Sequence, residues 1–370
     1  MKITCDAAEF AQSCVNVSRA VAAKSTLPAL EGILIKAFGE GVELTCYNTE
    51  LGIRTTQGCA VEEEGAVVVN AHLFCEILRR LPDGPAEITA DSRCYVTIAA
   101  GESRFSLMGI PAEDFPELPS VTGGFAITLQ QSLLKEMVRQ TIFAVAVKGD
   151  KAVHTGIQFT VEDNNLRMVA VDGVRLAVRQ EPISYEGELL SFVVPARTLS
   201  EIIKLTDDDD SFISLSVGKR QIVFELAGYT FISRLLEGDF LDYRTTLPKE
   251  YTVTARVNTR RMLEALERTS LMGTADAKLR SPSTCVLSEK GIFLSSSTAI
   301  GTASDRFEAM IDGNPLEIGF NNKFLIDALR ATDTDECVLR FHTPITPILI
   351  KPAEGEGYLY LVLPVRLRTE

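Results

Sequence analysis

The chain says the same thing three times. "AVVVNAHLFCEILRRLPD" begins at residue 66, "SFVVPARTLSEIIKLTDD" at 191 and "LEIGFNNKFLIDALRATD" at 316, so successive copies lie 125 positions apart. In each, a few strand-forming residues lead through Asn70, Pro195 or Phe320 into an amphipathic helix that ends near an acidic turn. A period this long exceeds any solenoid repeat, so each copy is expected to be a domain with its own core.

Other segments recur in the same order. "VELTCYNTELGIRT" (42–55), "LRMVAVDGVRLAV" (166–178) and "IFLSSSTAIGTASDRF" (292–307) alternate polar and apolar residues around a polar turn. "YVTIAAGESRFSLMG" (95–109), "QIVFELAGYTFISRLL" (221–236) and "PILIKPAEGEGYLYLVLP" (347–364) have the pattern of hairpins with Gly-containing turns. A first helix opens each copy at about 7–23, 131–147 and 258–272; Phe10, Cys14, Val17 and Val21 form the apolar stripe of the first. "PAEDFPELP" (111–119) and "EGDFLDYRTTLP" (237–248) each close a copy. The expected class is α+β: three domains, 1–122, 123–249 and 250–370, each with two helices packed on antiparallel sheets.

Composition narrows the function. With 46% hydrophobic residues the 370-residue chain can fill large cores. The formal charge of −13 argues against a protein basic all over, yet the six helix windows (7–23, 71–81, 131–147, 196–206, 258–272 and 321–332) carry twelve basic and seven acidic residues. That leaves +5 on the helices and −18 elsewhere, a distribution that attracts a polyanion to one surface and repels it from the rest. The helices offer neither stacking aromatics nor a Gly-rich phosphate cradle, which suits sequence-independent contact with a duplex backbone. Eight cysteines without a C-x-x-C pair, no secretory leader and no apolar run of ~18 residues point to reduced thiols in a cytoplasmic protein. No metal or cofactor is expected. The three histidines, His72, His154 and His342, are far apart. The acidic run Asp207–Asp210 lacks the alternate spacing of a calcium loop.

The threefold unit, "AVDGVRLAV" (170–178), "EGDFLDYRTTLP" and the near-terminal "YLVLPVRL" (360–367) together resemble the bacterial DNA polymerase III beta subunits, the sliding clamps. The resemblance covers essentially the whole chain. It implies a head-to-tail homodimer closing a six-domain ring around double-stranded DNA, with helices lining the hole. Such a clamp is a non-catalytic processivity factor, consistent with the lack of G-x-x-x-x-G-K-[ST] here. The implied partners are the polymerase III alpha subunit, the clamp-loader complex, and other polymerases and repair proteins that carry clamp-binding peptides.

By resemblance, a hydrophobic peptide groove is assigned to His154, Val171, Gly173, Val174, Arg175, Leu176, Leu241, Thr245, Thr246, Ile345, Pro347, Leu361, Val362, Leu363, Pro364, Val365, Arg366 and Leu367. Cutting the chain from Leu361 onward is expected to silence polymerase stimulation and spare the dimer. Lys24 and Lys148 match loop positions on the duplex. The helix candidates for DNA are Arg79, Arg80, Lys135, Arg139, Arg197, Lys204, Arg260 and Arg268. Arg104 and Phe105 on one edge, with Leu271, Met272 and Asp305 on the other, match the intersubunit patch. The family's usual "DFPDYR" reads "DFLDYR", Thr245 and Thr246 replace a basic and an aliphatic residue, and Arg368, Thr369 and Glu370 extend the tail. These departures leave room for an accessory clamp serving repair or an alternative polymerase. A rival of another class is a triplicated metal-dependent enzyme built on Asp172 and the Asp207–Asp210 run.

Overall fold

A computed structural model describes residues 1–121, 124–148, 151–206, 208–209, 211–274 and 283–367. Six α-helices are present among them: α1 (Ala7–Val17), α2 (Ala71–Leu78), α3 (Gln131–Arg139), α4 (Ala196–Ile202), α5 (Thr259–Thr274) and α6 (Asn322–Ala331). Most are shorter than their sequence windows. α1 tightens into a 3-10 turn at Ser18–Ala20 before Val21 turns extended. α3 stops where the Thr141 hydroxyl donates back to the Met137 and Val138 carbonyls, a local bond that competes with the helical ladder. Four of the helices, α1, α2, α5 and α6, start as the capping rules require: Asp6, Asn70, Asn258 and Asn321 each accept a backbone N–H of the first turn. Asn321, and not Phe320, is the cap of α6, so the third copy is one residue out of step with the 125 spacing.

The chain gathers into two compact units, Met1–Leu133 with Arg197–Leu235, and Leu134–Ala196 with Leu236–Glu370. The second sequence copy contributes to both, because the sheets cross the copy boundaries. In the first unit an antiparallel eight-stranded sheet joins first-copy strands to second-copy strands where Tyr229–Arg234 pairs with Leu51–Gly58. In the second unit a nine-stranded sheet makes the same junction where Tyr358–Val362 pairs with Arg175–Pro182. What remains is a five-stranded sheet in the first unit, ending in Ser103–Met108, and a four-stranded sheet in the second, ending in Gly301–Phe307.

The two junctions share one register. Three turns are equivalent: Asn48 to Leu51, Asp172 to Arg175 and Thr298 to Gly301. Two residues past them stand Ile53, Ala177 and Ala303. On the other side, lateral rows start three residues before each first-helix cap. They run Ile127–Leu215–Phe224–Phe231, Ala255–Leu339–Ile350–Tyr360 and Ile3–Ile88–Ile98–Phe105. The first row continues onto Ile53 and the second onto Ala177. The third stops at Phe105, which is 37% exposed where Phe231 and Tyr360 are fully buried.

Candidate functional site

All of the residues assigned to a groove lie in the second unit, and part of the set comes together there. Alternation along paired strands sets Leu176, Leu361 and Leu349 side by side across three strands. With Val169, Val171 and Val178 they form a buried floor, against which Phe240, Leu241, Tyr243 and Leu247 pack from the 239–248 segment. Val174, Ile345, Leu363 and Val365 are exposed apolar residues; Leu363 is tied to the turn because its N–H donates to the Val174 carbonyl. His154, in a 3-10 turn, meets the Phe240 ring edge-on at 5.6 Å. Burial, and then the nearby Lys151, lower its pKa, which favours the neutral ring.

Several assigned residues serve the scaffold more than a groove surface. Val362 lies on the opposite face of its strand from Leu361 and is fully buried. Arg175 donates from Nε to Asp172 at 2.8 Å and from Nη1 to Asp327 at 2.6 Å, and its guanidinium lies 4.8 Å from the Phe324 ring centroid and 5.7 Å from that of Phe143. Phe143, Phe324 and Asp327 went unread in the sequence because they stand far from Arg175 along the chain. Gly173 takes φ +90°, a value that favours glycine, in the turn held by Asp172. Thr245 and Thr246 return their hydroxyls to the Asp242 and Tyr243 carbonyls. Pro347 precedes the Ile348–Pro352 strand, and Pro364 follows the end of the Tyr358–Val362 strand. The Val365 N–H donates to the Gly319 carbonyl, and Leu367 packs so close that a Cβ on Gly319 would stand 2.7 Å from it. Arg366 is exposed between them. Arg368, Thr369 and Glu370 lie outside the described residues.

The cationic helix surface is weaker than the sequence windows imply. The helices proper hold eight basic and seven acidic residues, a net +1. Arg79, Arg80 and Lys204 fall just past helix ends, and Arg19 sits in the 3-10 turn. Many cations are paired: Arg79 and Arg80 with Glu76, Arg19 and Lys204 with Glu201, Arg260 with Glu264, Arg268 with Asp305 and Arg330 with Glu267. Lys24, Arg139, Lys148, Arg197, Arg260 and Arg268 are exposed, whereas Lys135 is half-buried.

Arg104 and Phe105 lie on the free Ser103–Met108 edge, and Asp305 on the free Gly301–Phe307 edge. Leu271 on α5 is 62% exposed, and the Met272 sulfur would lie 3.3 Å from a Cβ on Gly301. Among the described residues no group of three His, Cys, Asp or Glu is placed to hold a metal ion. One Asp172 carboxylate oxygen accepts two backbone N–H groups and the other accepts Arg175 Nε. Asp207 and Asp210 lie outside the described residues. Among the described residues no helix is long and apolar enough to cross a membrane.

Comparison with known proteins assigns the whole length. Residues 1–119, 128–242 and 244–366 match the N-terminal, central and C-terminal domain models of the DNA polymerase III beta subunit. A beta sliding clamp of Halalkalibacterium halodurans is 32% identical over 96% of this chain and 97% of its own length; that of Bacillus subtilis is 30% identical over 99% and 100%. The crystal structure of the Bacillus subtilis DNA polymerase sliding clamp superposes with a TM-score of 0.96 at 30% identity, covering 100% of both chains. A DNA polymerase III beta subunit structure from Eubacterium rectale gives 0.94 at 34% identity, covering 99% of each.

Proposed function

The chain belongs to the DNA polymerase III beta subunit family, the beta sliding clamps, and we propose that it encloses duplex DNA as a head-to-tail homodimer and tethers a polymerase there. In this reading it is a cytoplasmic, non-catalytic processivity factor with domains at 1–122, 123–249 and 250–370. Its partners would be sequence-independent double-stranded DNA, the polymerase III alpha subunit, the clamp loader, and other polymerases and repair proteins bearing a clamp-binding peptide.

The observation that carries the reading is the twice-made strand junction with its third instance left open. One chain supplies both halves of that junction, the Ser103–Met108 and Gly301–Phe307 edges, and a second copy in head-to-tail order can complete two of them. An open edge is a template for pairing, and the exposed Phe105 side chain gives it an apolar centre.

The DNA contact would be loose. Helices of net charge +1, with many arginines already held by carboxylates, neutralise few phosphates, so affinity for linear duplex should be low and salt-sensitive. Retention must then come from closure. After loader-driven assembly on a nicked circular plasmid, the protein should survive a salt wash that strips it from linear DNA, and a single restriction cut should release it. Equal release from circle and linear duplex at the same salt would overturn the proposal.

A further inference from the structure

Beside the leucine row, and sharing Val178, Tyr243 and Leu247 with it, the second unit holds a cavity of about 270 Å³. Its apolar walls are Val178, Leu247 and Leu359, with the Tyr243 ring beside them. Its polar lining comes from Arg244, Lys351, Gln180 and Glu356. We propose that this cavity is a second subsite of the peptide groove, taking an aromatic residue followed by a carboxylate from the same partner chain; the inference rests on the groove reading above.

Continuity is the first argument. The Arg175–Pro182 strand gives Leu176 to the leucine row, then Val178 and Gln180, next on the same face, to the cavity. The neighbouring Tyr358–Val362 strand gives Leu361 to the row and Leu359 to the cavity. Likewise the 239–248 segment covers the row with Leu241 and the cavity with Tyr243 and Leu247. An extended peptide on this face rises about 3.3 Å per residue. Leu176 and Gln180 are four positions apart, so about four residues separate an anchor on the leucine row from one in the cavity.

Charge is the second. Two cations face one carboxylate in a chain of net charge −13. Among the described residues neither Arg244 nor Lys351 has an ion-pair partner; the Arg244 guanidinium lies 5.6 Å from the Tyr243 ring centroid. Glu356 has its carbonyl engaged by Gln180 Nε2. A ring fits the apolar walls, and a carboxylate beside it meets the free cations, where a charge-assisted hydrogen bond is stronger than a neutral one.

The probes are a labelled peptide with a leucine anchor for the leucine row at each end, and the same peptide lengthened at either end by Ala-Ala-Ala-Phe-Asp. Fluorescence anisotropy on the intact protein should show one extended peptide binding about tenfold tighter than the parent. An Arg244→Glu, Lys351→Glu variant should lose that gain and keep the parent affinity. Extension by Ala-Ala-Ala-Phe-Asn should recover only part of it. Equal affinity for parent and extended peptides, or a gain that survives the charge reversal, overturns the cavity proposal while leaving the groove. If Leu363→Asp leaves parent binding unchanged, or no peptide binds at all, the groove reading falls and takes the subsite with it.

Discussion

At the scale of residues, the second unit is held by two arginines with different surroundings, Arg179 buried and Arg175 partly so. Arg175 is caged by Asp172, Asp327 and two rings. Arg179 donates to the Gln180 and Gly357 carbonyls and reaches Glu181 and Glu136. Glu136 is the strained member. Burial raises its pKa above the ordinary 4.5, the neighbouring Asp333 raises it further, and Arg179 opposes both only in part. Between the ordinary value and the raised one the folded state therefore binds more protons than the unfolded, so stability falls as pH rises through that window. Glu136→Gln keeps the shape, still accepts from Gln140 and Arg179, and removes the unfavourable charge. Arg179 retains Glu181 as its counter-ion. The variant should show a higher urea midpoint than wild type at pH 7, with the advantage shrinking to nothing below about pH 4.5. A lower midpoint at pH 7 would show that Glu136 is needed as an anion.

At the scale of elements, the terminal strand corrects an expectation from the sequence. Leu361 and Val362 belong to Tyr358–Val362, which is hydrogen-bonded on both sides in the middle of the nine-stranded sheet. Removing them would open the sheet and the leucine row together, and loss of function would then say nothing about the groove. A cut after Val362 is the informative one. It spares the strand and deletes the exposed Leu363 and Val365. The truncated protein should keep its dimer mass in sedimentation but lose polymerase stimulation; full stimulation would remove the tail from the groove. The strand itself was legible in "YLYLV" because apolar residues flanked by turns read as a buried strand. One neighbour, Ile348–Pro352, was legible as the other arm of the hairpin, but Arg175–Pro182 was not, since it meets the strand through a pairing that no local pattern encodes. The helix ends were misread for a similar reason. Basic residues at 79, 80 and 204 look helical by propensity, but α2 and α4 stop before them, so the charge contrast in the sequence windows exceeded the one the helices carry.

At the scale of the whole molecule, the repeat was the most legible feature, and its consequence for assembly needed the ladders. The sequence singled out Phe105 and Asp305 by resemblance alone; the ladders supply a register. Phe231 faces Ile53 and Tyr360 faces Ala177, so Phe105 should face Ala303 of a second copy, with Ser103 opposite Asp305 and Leu107 opposite Gly301. Leu271 stands at the same count from the start of α5 as Phe143 from the start of α3, and Phe143 packs on Tyr360 at 5.2 Å. Leu271 should accordingly pack on the partner's Phe105. Burying these side chains and completing a continuous antiparallel ladder explains how a closure with few charged pairs can hold. The register is open to direct test. A Phe105→Cys, Ala303→Cys variant treated with a short bis-thiol reagent should run as a covalent dimer. Each single variant, carrying the partly buried Cys59 and Cys94 as background, should stay at monomer mass. Because a one-residue slip turns every side chain to the other face, Phe105→Cys with Ser304→Cys should link poorly. Efficient linking of that second pair, with little of the first, would mean that the intermolecular junction does not repeat the two made within the chain.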